Sequence, residues 1–119
     1  MIFILYVQVS FSTANKRDNA LSQATNYLAQ PGISDDLFVP AQISPWNGAY
    51  KGWPNAMTVE CRFRTQATRD DLWTQLDAFL TQSNRAPAKS LGERWDQMLD
   101  APDPDADTTK YNDLLKSWP

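Results

Sequence analysis

The first eleven residues have the period-two pattern of a β-strand. Residues 2–11 are mostly β-branched or aromatic, and one face of the pattern is entirely apolar: Phe3, Leu5, Val7, Val9 and Phe11. The other face begins apolar and turns polar after residue 6, in the order Ile2, Ile4, Tyr6, Gln8 and Ser10. Because part of this second face is also apolar, we expect a central strand that is covered on both sides.

A helix is predicted after this strand. Ser12 or Thr13 can serve as its N-cap, and Pro31-Gly32 sets its latest end. Between these limits the apolar residues have helical spacing and predict one buried stripe: Ala20, Leu21, Ala24, Tyr27 and Leu28.

Two more strands are predicted in the middle of the chain. The run from Leu37 to Ile43 is extended but interrupted at Pro40, which lacks the N–H that an interior ladder position needs, so an edge strand or a bulge is favoured. Residues 57–65 alternate, with inward positions Met57, Val59, Cys61 and Phe63 and outward positions Thr58, Glu60, Arg62 and Arg64.

A second helix follows. Thr68 and Asp71 have the spacing of a capping box, with Asp in place of the usual Glu, which would put Asp70 and Asp71 in the first turn. Its expected buried stripe is Leu72, Trp73, Leu76, Phe79 and Leu80.

Residues 88–119 divide into three segments with different patterns. In residues 88–99 the apolar positions Leu91, Trp95, Met98 and Leu99 have helical spacing, which favours a helix and leaves a closing strand as the alternative. Residues 100–107 alternate aspartate with alanine and proline and predict an acidic linker. Residues 108–119 predict a short amphipathic helix with the stripe Tyr111, Leu114, Leu115 and Trp118.

The order strand, helix, strand, strand, helix predicts a ferredoxin-like α+β sandwich, in which two helices cover one face of an antiparallel sheet. A chain of 119 residues has the length of one domain. We assign residues 1–99 to the sandwich, 100–107 to the linker and 108–119 to a helix that docks on the same domain or on a partner.

The amino-acid composition argues against several classes of function. With 11 basic and 14 acidic side chains the net charge is −3, so no positive field attracts nucleic acid. The apolar N-terminus lacks a basic region and is too short to span a bilayer, so we expect no membrane association and a cytoplasmic location. The absence of histidine excludes His-ligated zinc and Ser-His or Cys-His nucleophiles. The sequence predicts no cofactor, no metal and no catalytic residue, and the balance is against enzymatic activity.

Residues 44–55 are a candidate binding segment. Three aromatic residues, two prolines and two glycines fall in what the pattern predicts to be a connection between strands. Aromatic faces beside amide and hydroxyl groups suit stacking on a sugar, a base or a partner side chain, whereas the other interpretation is a lid that folds back over the sheet. The residues concerned are Trp46, Asn47, Tyr50 and Trp53.

The outward face of residues 57–65 is a second candidate. Arg62 and Arg64 could together clamp a carboxylate or a phosphate, and the alternative is a solvated sheet face. Cys61 points to the apolar side, so we expect an unreactive thiol. The pairs Asp35-Asp36 and Asp70-Asp71 have no metal-binding or catalytic motif around them.

Three functions are consistent with these features. The first is a non-enzymatic binding or interaction protein that meets a protein partner or forms a homodimer, with Trp118 or the tryptophans of segment 44–55 as anchors. The second is a small-molecule binder or enzyme of the dimeric α+β barrel type, with a cavity between sheet and helices. Tyr6 and Trp95 could line a cavity between the sheet and the C-terminal segment, although packing in the core is the favoured interpretation for both. The third is carbohydrate binding through segment 44–55.

Overall fold

The computed structural model describes the backbone of residues 1–50, 53–83 and 91–101 and the side chains of residues 1–45, 55–82 and 94–100. These residues form four strands, two α-helices and a short 3-10 turn at Ser34–Asp36. In chain order the larger elements are β1 (Ile2–Phe11), α1 (Ala14–Leu28), β2 (Gln42–Tyr50), β3 (Trp53–Phe63), α2 (Gln66–Ser83) and β4 (Leu91–Ala101). The strands make one antiparallel sheet in the order β2-β3-β1-β4, which confirms the ferredoxin-like α+β prediction.

β1 lies in the centre of the sheet, as its sequence predicts. It pairs with β3 on one side and with β4 on the other. Its inward side chains join those of β3 and both helices in the main core, whose largest fully buried members include Leu5, Val7, Val9, Phe11, Met57 and Phe63. The sheet therefore has one face packed on the helices.

The face of the sheet turned away from the helices, here called the distal face, carries a second buried cluster. Ile2, Ile4 and Tyr6 of β1 are each 5 % exposed or less and pack with Phe38, Trp95 and Leu99. The expectation that β1 is covered on both sides is therefore confirmed.

The start and the buried stripe of α1 agree with the prediction. The Thr13 hydroxyl accepts a hydrogen bond from the Lys16 amide at 3.2 Å, so Thr13 is the N-cap. Ala20, Ala24 and Tyr27 are buried, and Leu21 and Leu28 pack against the same core.

The start of α2 differs from the prediction. The helix begins at Gln66, so Asp70 and Asp71 lie beyond the first turn and the proposed capping box is wrong. Tertiary contacts decide the start, because Asp36 Oδ2 accepts hydrogen bonds from the hydroxyl of Thr65 at 2.7 Å and from its amide at 3.3 Å. This holds the residue before the helix against the 3-10 turn.

β2 is an edge strand, as predicted, but it lies later in the chain than residues 37–43. Leu37 makes only an isolated bridge to Phe63, and the continuous strand starts two residues after Pro40. β2 then continues through Tyr50, and β3 starts at Trp53. The backbone of residues 44–50 and 53–55 therefore belongs to two paired antiparallel strands, and the prediction of a connection between strands is wrong over these residues.

Residues 91–101 form β4, so the helix favoured for residues 88–99 is wrong over that range. β4 pairs with β1 from Ile2↔Ala101 to Phe11↔Leu91 and closes the sheet. The helical spacing of the apolar residues is misleading, because β4 is an edge strand whose two faces have different contacts. Trp95 and Leu99 pack in the buried cluster of the distal face, whereas Asp96 on the other face accepts a hydrogen bond from Trp73 of α2. The predicted linker begins inside β4 with Asp100 and Ala101, while residues 102–119, including the predicted C-terminal helix, lie outside the described residues.

Polar side chains connect α2 to β4. Three α2 residues, spaced about one helical turn apart, each contact one β4 residue. The pairs are Arg69 with Asp100, Trp73 with Asp96, and Asp77 with Arg94. The Trp73 indole donates to Asp96 at 2.9 Å, and Arg94 binds both Asp77 and Asp96 at 2.8 Å. The two carboxylates raise the pKa of Arg94 although its burial acts in the opposite direction. Helix and edge strand are thus held together along their length.

Arg69 is the most buried charged side chain among the described residues of this contact, at 5 % exposed. It donates to the Leu99 carbonyl at 2.9 Å and binds Asp70 and Asp100. Its guanidinium carbon lies 5.4 Å from the centre of the Phe3 ring. One side chain thus contacts α2, β1 and β4.

The Cys61 thiol points into the main core, as predicted. The residue is 1 % exposed, and burial, with a smaller contribution from Glu60, raises the pKa of the thiol from 9.0 to about 12. At neutral pH the group is therefore protonated and packed among apolar side chains.

We expect Arg69→Met to lower the free energy of unfolding by about 1–3 kcal/mol, because it removes a buried charged donor and leaves the Leu99 carbonyl unpaired. Urea denaturation followed by circular dichroism measures this. The matched control is Arg17→Met, which removes an ion pair to the exposed Asp18 and should cost less than about 1 kcal/mol. Equal losses in the two variants would contradict the role of Arg69.

We expect stability to fall above pH 9 partly because of Cys61. The unfolded thiol loses its proton near pH 9, whereas the folded thiol keeps its proton until about pH 12, so each pH unit between these values favours unfolding. Cys61→Ala should remove up to about 1.4 kcal/mol per pH unit from that slope. Urea titrations of both proteins from pH 7 to 11 test this, and the two curves should be parallel below pH 8. Parallel curves over the whole range would show that the thiol pKa is not raised.

Candidate functional site

A groove of about 400 Å³ lies on the edge of the sheet where the chain enters β2. It is lined by Val39, Pro40, Ala41, Gln42, Glu60 and Arg62. The first three supply an apolar wall, and the last two are neighbouring outward positions of β3. The groove therefore combines an apolar side with a charged side.

The path of residues 37–42 explains why a groove forms here. The Phe38 amide donates to the Arg62 carbonyl at 2.8 Å, and Gln42 pairs with Glu60 at the start of β2. Between these two contacts lies Pro40, which has no N–H to add to the ladder. The chain is thus held to β3 before and after the proline but not at it.

Strand register puts the charged side of the groove on the distal face. Glu60 is paired with Tyr6 of β1, and Arg62 with Ile4. The Arg62 and Glu60 side chains each have an interaction partner in the fold. Since paired residues of antiparallel strands share a face, Glu60 and Arg62 lie beside the buried cluster that contains Ile4 and Tyr6.

Tyr6 provides a protonated phenol next to the groove. Burial and, to a smaller extent, the Glu60 carboxylate raise the pKa of Tyr6, while a hydrogen bond with the Thr58 side chain acts in the opposite direction. Its ring meets that of Trp95 edge to face, with the centroids 5.5 Å apart and the planes at 73°. At neutral pH this hydroxyl is a hydrogen-bond donor held in place by an aromatic neighbour.

Gln8 is the next residue of β1 on the same face. It is paired with Thr58 of β3 and with Trp95 of β4, and it is 8 % exposed. Within the part of the chain that the structure describes, its Oε1 atom is buried and has no hydrogen-bond partner. A buried acceptor without a donor is rare in folded proteins.

The structure separates the two predicted arginines. Arg62 lines the groove, whereas the Arg64 guanidinium lies over the Phe38 ring, with its carbon 5.4 Å from the ring centre. Arg64 is exposed and is absent from the groove lining. A joint clamp by the two side chains stays a prediction, and Arg62 alone is placed at the groove.

The aromatic segment is located by its backbone. Trp46 pairs with Ala56, Asn47 with Asn55, and Tyr50 with Trp53 between β2 and β3. The side chains of residues 46–54, and Trp118 as a whole, lie outside the described residues. Whether these aromatic residues act as a lid or as a binding surface stays a prediction.

Sequence reasoning missed Gln8, Gln42 and the wall formed by residues 39–41. A signal for Gln8 was present, because the second face of a strand expected to be central turns polar at this residue. The groove itself had no such signal, since it depends on how the chain passes between Phe38 and Gln42.

The acidic pairs have structural partners. Asp36 binds Thr65, Asp70 binds Arg69 at 2.9 Å, and Asp71 accepts a hydrogen bond from Gln75 at 3.2 Å. Among residues 1–45, 55–82 and 94–100, no three cysteine or acidic side chains come together as metal ligands would. None of the helices described is both long and apolar enough to span a bilayer.

Comparison with known proteins supports the fold. No protein family matches the chain, and no curated protein does. Among solved structures, the chain is similar to a mutant form of SnoaB, a cofactor-independent oxygenase from Streptomyces nogalater, with a TM-score of 0.51 and 12 % sequence identity. The similarity covers 89 % of this chain and 98 % of SnoaB. At this identity the two proteins share an α+β fold, and the similarity extends no further than the fold.

Proposed function

We propose that the protein binds a small organic molecule that has an apolar body and one anionic group, in the groove between residues 39–41 and β3. The observation that carries this proposal is the position of Arg62 opposite an apolar wall in a groove of about 400 Å³. Small-molecule sites combine apolar walls with a few placed polar groups, and this groove sets three apolar residues beside Gln42, Glu60 and Arg62.

Arg62 would hold the anionic group of the ligand. A guanidinium presents its donors in a plane that matches a carboxylate, and such charge-assisted hydrogen bonds are stronger than neutral ones. Glu60 lines the same groove and repels negative charge. The pair therefore favours a ligand with a single negative charge over one with two.

The location of this site differs from the location that the sequence suggests. A cavity between the sheet and the helices was expected for a binder of the dimeric α+β barrel type, whereas the groove is formed by β3 and the segment that leads into β2. The proposal keeps the ligand class and places the site at the sheet edge. An enzymatic form of the proposal stays a prediction.

Self-association is a second candidate, and the outer edge of β4 favours it. β4 ends the described sheet, and its Met98 side chain is 42 % exposed. Binding of another protein partner, a role for Trp118, carbohydrate binding by residues 44–55 and a cytoplasmic location stay predictions.

We expect Arg62→Gln to weaken the binding of aromatic monocarboxylates about tenfold or more, because the charge-assisted contact is lost. Isothermal titration of biphenyl-4-carboxylate, naphthoate and benzoate measures this. Arg64→Gln is the matched control, because Arg64 is a nearby outward arginine that does not line the groove. The affinity of this variant for the same acids should differ from that of the wild-type protein by less than about twofold. Equal effects of the two substitutions, or equally tight binding of the methyl esters, would refute the proposal.

For self-association, we expect sedimentation equilibrium to give about twice the chain mass of 13.5 kDa at micromolar concentrations. Met98→Lys should shift the distribution toward the monomer, because it places a charge on the exposed edge of β4. Exposed Thr74→Lys on α2 is the control for added charge. A monomer at all concentrations would eliminate this second candidate without affecting the ligand proposal.

A further inference from the structure

The unpaired Gln8 acceptor lies on the same face of the sheet as the groove. Counted along the register, the groove side chain Glu60 is paired with Tyr6, and the next pair on that face is Thr58 with Gln8. Trp95 of β4 completes this second row. The groove and Gln8 are thus the two ends of one strip of the distal face, with Tyr6 between them.

Keeping an amide oxygen buried without a donor is unfavourable, and an apolar residue of similar shape would avoid the cost. Gln8 is paired with neighbours on both sides and is 8 % exposed, so its oxygen has no ready access to bulk solvent. Hence none of the described residues supplies a donor to Oε1.

The surroundings favour a ligand group over an isolated water. A buried water needs two to four polar partners, but the Thr58 hydroxyl is engaged with Tyr6, and Ser10 already has a partner. Trp95 is the register partner of Gln8 on β4, and its ring contacts that of Tyr6, the preceding residue of β1 on this face. An environment of two aromatic rings and one acceptor suits a flat apolar group that carries a hydroxyl or an N–H.

We propose that Gln8 is a specificity-determining residue at the far end of the ligand site, where Oε1 accepts a hydrogen bond from an uncharged donor on the ligand. This inference rests on the proposed function, since Arg62 holds the other end. Arg62 and Thr58 are four residues apart on β3, which is about 13 Å along a strand. The ligand is therefore an elongated, flat monoanion with its donor at the end opposite its charge.

The test compares two probes that differ by one hydroxyl, 4′-hydroxybiphenyl-4-carboxylate and biphenyl-4-carboxylate. We expect the wild-type protein to bind the hydroxylated acid about tenfold more tightly, because its hydroxyl satisfies the buried acceptor. In Gln8→Met, which keeps the length of the side chain but removes the acceptor, the two acids should bind equally. Isothermal titration gives all four dissociation constants.

A second readout needs no ligand. If Oε1 is unpaired in the free protein, Gln8→Met should raise the melting temperature, because the unsatisfied acceptor is removed. Gln23→Met on the exposed face of α1 is the control for a glutamine-to-methionine change and should leave the melting temperature unchanged. A lower melting temperature for Gln8→Met would show that Oε1 has a partner and would overturn the inference.

The titrations separate this inference from the function on which it rests. Binding of both acids with equal affinity by the wild-type protein, together with a loss of both in Arg62→Gln, would overturn the role of Gln8 and support the groove. Binding of neither acid would overturn both. A preference for the hydroxylated acid that persists in Gln8→Met would place the donor contact elsewhere and overturn the inference alone.

Discussion

β1 buries side chains on both of its faces and pairs along both of its edges, with β3 on one side and β4 on the other. Its inward residues require the two helices, which cover them in the main core. Its outward residues require neighbours on the distal face, which Phe38, Trp95 and Leu99 supply. A strand with this pattern can be satisfied only in the middle of a sheet, so the positions of the other elements follow from it.

β4 is held by charge as well as by strand pairing. An edge strand has fewer neighbours than a central one, and β4 gains additional contacts through polar side chains on its helix-facing side. Arg69, Trp73 and Asp77 can all reach it because residues four apart lie on the same face of a helix. The other side of β4 contributes Trp95 and Leu99 to the distal face, so the contact with α2 also positions part of the candidate site.

The distal face combines a buried apolar cluster with charged and polar side chains. Its apolar cluster excludes water around Ile4 and Tyr6, and the same strip carries the charges of Glu60 and Arg62 and the amide of Gln8. The raised pKa of Tyr6 follows from that exclusion of water, since burial disfavours the charged phenolate. The fold is similar to that of SnoaB, and at 12 % sequence identity the similarity is limited to the fold.

Local periodicity by itself determined β1, the buried stripe of α1, the alternation of β3 and the ferredoxin-like order, because each pattern reports which face of one element is apolar. Periodicity also singled out Arg62 as an outward charge. Only the tertiary structure decided that residues 91–101 form a strand, that α2 begins at Gln66 and that residues 44–50 belong to β2. These outcomes depend on partners distant in sequence, such as β1 for β4 and Asp36 for Thr65. The groove likewise exists only where residues 39–41 meet β3, and no local pattern records that contact.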